Sequence, residues 1–152
     1  MNETAPPRIV VMISPGGAGD KEFDDFLTVY FALKDEGAEI AVASVAGGFP
    51  WPGRPEHRGA RSDELGRRFR QDVHARDDLA NTLRANEIYA EDFNGALVIG
   101  DAGNDSAAAL ITRLVNLGKP VITSPGVPQD DAGGRIRGDV QSLLLGIRHR
   151  AG

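Results

Sequence analysis

Three stretches of the chain carry side chains able to move a proton or attack a carbonyl group. "GDKEFDDF" holds Asp25, with Glu22 and Asp24 beside it in a first helical turn where the dipole favours anions, "GDAGNDS" holds Asp101, Asn104 and Asp105, and "GKPVITSPG" runs into Ser124. Two carboxylates in a partly dry cleft cannot both ionise cheaply, so one keeps its proton to higher pH. Such a pair offers one acid and one base near neutral pH, as proton transfer at carbon or oxygen requires. A serine does different work, attacking a carbonyl with the help of a base within hydrogen-bond reach. No histidine lies near Ser124 in sequence, and His57 would have to fold over from a distant loop. The chain has no cysteine, which excludes thiolate catalysis, disulfides and Cys-ligated zinc. Asp20, Asp24, Asp25, Asp101 and Asp105 are of a type that binds Mg²⁺ or Ca²⁺. Their spacing follows no metal motif, so neither a metal nor a cofactor is expected.

Each of these residues also has a plain structural reading. Asp25 near a helix start stabilises the helix dipole, Asp101 suits a turn, and Asp105 suits a helix cap. Ser124 is a small polar residue in a tight turn before Pro125. Asn104, Asp105 and Ser106 open a helix whose amides could bind a carbonyl or an anion. "GGAG", including Gly17, is too short for a phosphate-binding loop and precedes a run of acids. It reads as a turn that lets backbone approach a ligand. Arg67, Arg68 and Arg70 read as a solvated helix face.

The elements that must position these residues follow from the hydrophobic pattern. "RIVVMIS", Arg8 to Ser14, is a continuous apolar run suited to a strand covered on both faces. A helix is expected from about Glu22 to Glu36. Phe23, Phe26, Leu27, Tyr30 and Leu33 form its apolar stripe, and Gly37 ends it. "EIAVASV" is the second strand, "GALVIG" the third and "KPVIT" the fourth. "DSAAALITRLVNLG" is the helix between the last two, stopped by Gly118. "AGGFPWPGRPEHRGA" is a loop, with Phe49 and Trp51 as an apolar lid or a subunit contact. "SDELGRRFRQDVHARDDLANTL" gives one or two short exposed helices, with Ser62 as an N-cap. A final helix spans roughly Asp139 to Arg148. Buried strands alternating with helices predict an α/β fold, a flavodoxin-like three-layer sandwich with a mostly parallel central sheet. Ligands of such sheets bind beyond the carboxyl ends of the strands, near the switch in strand order. The segments Ser14 to Asp25, Ala46 to Pro55, Gly100 to Ser106 and Ser124 to Asp131 converge there.

At 152 residues the chain suits one domain, residues 1–152, with a single core. A formal net charge of -5 disfavours nucleic acid and anionic membranes, which would repel it. No apolar run reaches membrane-spanning length. "MNETAPPR" has no signal-peptide pattern, so a cytoplasmic location is expected.

In order and spacing, "FALKDEGAEIAVASVAGG", "RRFRQDVHARDDLANTL", "EDFNGALVIG" and "NLGKPVITSPG" resemble the ThiJ/PfpI family of the class I glutamine amidotransferase-like superfamily, across Ile9 to Gly126. The resemblance implies that Asp25 stands where the family has a glutamate. Gly100-Asp101-Ala102-Gly103 replaces a Gly-Gly-x-Gly oxyanion turn, and Ser124-Pro125-Gly126 replaces Cys-His-Gly. The family's thiolate and imidazole are both gone, and its C-terminal strands are missing or reduced. What the resemblance implies is a cysteine-free enzyme with Asp25 as base and Asp101 as acid or second carboxylate. Gly17, Gly100, Gly103, Asn104, Trp51 and Ser124 would line or polarise a small carbonyl-containing or unsaturated substrate. Hydration, dehydration, isomerisation or cyclisation would suit such a site. A non-catalytic binding protein and a hydrolase or glyoxalase-like enzyme using Ser124 are the alternatives. Family members commonly pair, so a homodimer is expected.

Overall fold

The computed structural model describes residues 6–14, 19–51, 64–100, 105–124 and 140–147, with the side chains of 19–21 and 124 left aside. Five strands form one parallel sheet: β1 (Arg8–Ser14), β2 (Glu39–Ser44), β3 (Leu83–Arg84), β4 (Gly95–Gly100) and β5 (Val121–Ser124). The helices are α1 (Gly19–Asp35), α2 (Glu64–Gln71), α3 (Val73–Ala80), α4 (Asp105–Asn116) and α5 (residues 140–147). The sheet order is β3-β2-β1-β4-β5. Its four longer strands run β2-β1-β4-β5, the arrangement of flavodoxin-like sheets, with β3 as a two-residue edge. The chain moves outward from β1 to β2 and then returns to build β4 and β5 on β1's other side. The switch in strand order therefore falls between β1 and β4.

The pleat of β1 divides the interior in two. Ile9, Val11 and Ile13 face a core built with Leu97, Ile99, the α1 residues Phe23, Phe26, Leu27 and Leu33, and the α5 residues Val140, Leu143 and Leu144. Val10 and Met12 face the other way, onto Val98 and the α4 residues Ala107, Leu110 and Leu114. Because both faces are covered, β1 is apolar throughout rather than alternating. Burial of these side chains is the main source of stability, at roughly 25 cal/mol per Å² of apolar surface. Two helices end alike. Gly37 (φ +83°) follows α1 and Gly118 (φ +75°) follows α4. In each case the glycine amide reaches back three residues, and the next amide bonds a carbonyl five residues back: Ala38 N to Leu33 O at 3.1 Å and Lys119 N to Leu114 O at 2.9 Å. These are Schellman caps, which left-handed glycine allows.

The architecture agrees with the sequence pattern, including two short helices in the polar segment, with local differences at the start of α1 and in the strand β3. α1 begins at Gly19, three residues before the expected start. The polar segment divides into α2 and α3 at Asp72, whose carboxylate accepts the Ala75 amide at 3.0 Å and caps α3. β3 was not expected. It is too short to show an alternating pattern, and both its residues are exposed. Asp105 is the first residue of α4. The expected cap Ser62, the loop residue His57 and the turn after Ser124 lie outside the described residues.

Candidate functional site

The carboxyl edge of β1 and β4 is built around one close pairing. Ser14 closes β1, Gly100 closes β4, and the two stand opposite each other in the ladder. Gly100 has φ +96°, and a Cβ there would lie 2.0 Å from the Ser14 carbonyl oxygen and 2.9 Å from Glu22 Oε2. Only glycine fits. The missing side chain leaves room for the Glu22 carboxylate to press against the strand end.

Glu22 is brought there by α1. Glu22, Phe26, Val29 and Leu33 follow one another at i, i+4, i+7 and i+11, so the carboxylate heads an otherwise apolar row. It is 5% exposed. Asp25, one turn along at i+3, is 4% exposed, and its Oδ2 is completely buried. Asp24, between them, is exposed. The first turns of α1 therefore carry two buried carboxylates, of which Glu22 reaches the switch in strand order. Carboxylates are rarely buried so deeply unless the fold holds them with partners. For Glu22 one such partner is the Trp51 indole, whose Nε1 donates to Oε1 at 3.0 Å.

The loop after β2 carries Trp51 into this position. Gly47 (φ +78°) and Gly48 (φ +70°) turn the chain back. The Gly47 amide donates to Ser44 Oγ at 3.0 Å, and the Gly48 amide donates to the Thr82 carbonyl at 3.0 Å. Ser44 Oγ and Thr82 Oγ1, both buried, share a hydrogen bond of 2.6 Å. Beyond this clasp four aromatic rings meet edge to face. Phe49 contacts Trp51 (5.8 Å between centroids), Trp51 contacts Phe23 (5.9 Å), and Phe23 contacts Phe69 of α2 (5.5 Å). Each such pair adds about 0.5–1.5 kcal/mol to the area buried. Trp51 is itself 4% exposed and packs inside the chain's own core, over Glu22.

Of the residues singled out in the sequence, Gly100 and Trp51 are thus gathered around Glu22 at one edge, and Asp25 is buried one turn further along α1. β5 ends at Ser124, whose backbone pairs with Ile99, so the backbone of Ser124 reaches the same edge. Gly17, Asp101, Gly103 and Asn104 lie outside the described residues. Glu22 was missed as a site residue. The signal was present: extending the row Phe26, Val29, Leu33 back by one turn lands on it. Among the described residues no three His, Asp or Glu side chains are grouped as metal ligands, and no helix is long and apolar enough to cross a membrane.

Chemically, the edge offers a buried carboxylate, Glu22, beside glycine backbone and under an indole. Fold and edge together define an α/β protein of the flavodoxin-like class with an acidic side chain, Glu22, at the strand ends. No family model matches the chain, and no curated protein matches it. Among solved structures, the X-ray structure of Francisella tularensis Rapid Encystment Protein 24 KDa (REP24) is similar, with 13% identity and a TM-score of 0.59. The match covers 76% of this chain and 57% of that one. At that identity the likeness is one of fold.

Proposed function

We propose that this protein is a cysteine-free relative of the ThiJ/PfpI family. In this reading it is a cofactor-independent enzyme that uses carboxylate acid/base chemistry on a small carbonyl-containing or unsaturated organic molecule. The observation that supports this most is the burial of Glu22 against the strand ends of β1 and β4, with Asp25 buried one turn along the same helix. Asp25 takes a proton from the carbon beside a carbonyl. A second carboxyl group at the edge, Glu22 or Asp101, returns a proton at the other end of the resulting enolate. Gly100, with Gly17, Gly103 and Asn104, brings backbone amides and polar groups close to the substrate oxygen. Proton movement of this kind serves isomerisation, hydration, dehydration or cyclisation without a covalent intermediate. A cytoplasmic location and a homodimer belong to the same reading and rest on the family resemblance.

The test is hydrogen–deuterium exchange in D₂O, followed by proton NMR, with pyruvate, dihydroxyacetone and 2-cyclohexenone as probes. The expected result is loss of the α-proton signal of at least one probe faster than in buffer. The exchange should be abolished in Asp25→Asn and reduced in Glu22→Gln, with unchanged far-UV circular dichroism. No exchange above buffer, or equal exchange in both variants, overturns the reading. Because β5 brings Ser124 to the same edge, Ser124→Ala serves as the discriminating arm. Loss of activity there alone would assign the chemistry to a serine nucleophile.

A further inference from the structure

A cavity of about 350 Å³ opens on the face of the molecule that carries α1, between the loop after β2 and helices α2 and α3. Phe49, Phe69 and Leu79 form its walls, Val73 stands at the mouth, and Arg76 and Asp77 lie on its lining. Phe69 and Leu79 are core residues, 6% and 1% exposed, so the walls are fixed by packing. Val73 is 64% exposed. The size and the mix of rigid apolar wall with few polar groups are those of small-molecule sites.

The two charges on the lining are not equivalent. Asp77 Oδ1 accepts the Asn81 side-chain amide at 3.0 Å. Among the described residues no carboxylate forms an ion pair with the Arg76 guanidinium. Neighbouring acids of the same helix pair are turned elsewhere: Asp72 to Lys34 and Asp78 to Tyr30. An apolar chamber with a guanidinium on its lining suits a ligand with a hydrophobic body and a carboxylate at one end.

We propose that this cavity is a binding site for small aromatic or aliphatic monocarboxylates, with the apolar body against Phe49, Phe69 and Leu79 and the carboxylate on Arg76. The site is separate from the carboxyl edge and does not depend on the chemistry proposed there. It is nevertheless linked to that edge, because two of its walls, Phe49 and Phe69, are the outer rings of the aromatic chain through Trp51 and Phe23. Trp51 is the only tryptophan of the chain, so its fluorescence reports on occupancy of the cavity next to it.

The test is titration with 3-phenylpropionate, followed by Trp51 fluorescence and by saturation-transfer NMR on the ligand, with 3-phenylpropanol and phenethylamine as neutral and cationic counterparts. The expected result is saturable binding of the carboxylate with a Kd on the order of 1 mM or tighter. The alcohol should bind about five-fold more weakly, and the amine more weakly still. Arg76→Gln should bring the carboxylate to the level of the alcohol. Val73→Glu places an acid at the exposed first position of α3, where helices accept acids. It should leave thermal unfolding unchanged and abolish carboxylate binding. Absence of saturable binding to wild type, equal or tighter binding of the amine, or carboxylate binding unaltered in both variants overturns the proposal.

Discussion

The Trp51 indole donates to the Glu22 carboxylate across 3.0 Å, joining the loop after β2 to the start of α1. Both groups are buried, and leaving a buried hydrogen-bonding group without its partner costs about 1–3 kcal/mol. Trp51→Phe keeps the ring contacts with Phe23 and Phe49 but removes the donor. It is expected to lower the unfolding free energy by about 2–3 kcal/mol, read from urea denaturation. A change below about 0.5 kcal/mol would show that the bond does not hold the loop.

Gly100 and Gly48 separate two costs of replacing a glycine. Both have positive φ, but a Cβ at Gly48 meets nothing within 4 Å, whereas one at Gly100 runs into the Ser14 carbonyl. Gly48→Ala carries the left-handed penalty alone, about 1–2 kcal/mol. Gly100→Ala must also push β1 and β4 apart, and is expected to cost on the order of 3–5 kcal/mol. Thermal unfolding of the two variants side by side checks the difference. Equal losses would refute the close approach.

Asp72 carries a pH dependence. Burial opposes its ionisation, but the Lys34 ammonium at 2.6 Å and the Ala75 amide outweigh it and hold the carboxyl below its ordinary range. A depressed folded pKa gives stability that is present above the unfolded value of about 4 and is lost as pH falls through the folded one. Asp72→Asn keeps an acceptor for the cap but loses the charge. It is expected to be less stable than wild type at pH 7, with the gap shrinking as pH falls below the ordinary carboxylate range. Urea midpoints measured across that range give the answer, and a constant gap would contradict it.

Tyr30 works at the alkaline end. Burial, then the hydrogen bond to Asp78 Oδ2 at 2.8 Å, push its phenol well above the usual value. A raised folded pKa means stability that is complete below about pH 10 and is lost as pH rises through the folded pKa. In a Tyr89→Phe background, which leaves Tyr30 as the sole tyrosine, absorbance at 295 nm should stay flat past pH of about 10. It should rise only with unfolding, seen together by circular dichroism. Ionisation near the ordinary value in a folded protein would rule this out.

Much of the fold was legible because β1, β2 and β4 are continuous apolar runs and α1 has a clean stripe. Those are strong local signals, and the parallel sheet follows from their alternation with helices. β3 was not legible because two exposed residues carry no period; only pairing with Ala43 and Ser44 makes them a strand. The site was legible in part. Gly100 and Trp51 were picked out, but Glu22 was read as a dipole acid. An acid in a first turn usually faces water, and nothing local announces that a distant glycine and a tryptophan from another loop will enclose it. Trp51 was placed in a loop rich in Pro and Gly, which hides its role in the core. Long-range partners of this kind, 29 residues apart for Trp51 and Glu22, are set by topology rather than by local pattern.

The central place of β1 has a consequence for synthesis. β1 emerges from the ribosome before both of its neighbours, and the partner that anchors its start, Asn94, lies 86 residues downstream of Arg8. Until β4 has been made, one edge of the most apolar strand has no mate. Pairing over that distance closes slowly, and unpaired apolar edges invite association with other chains. The nascent chain therefore passes through a stage in which Ile9 to Ile13 have at most one of the two strands that flank them in the finished sheet.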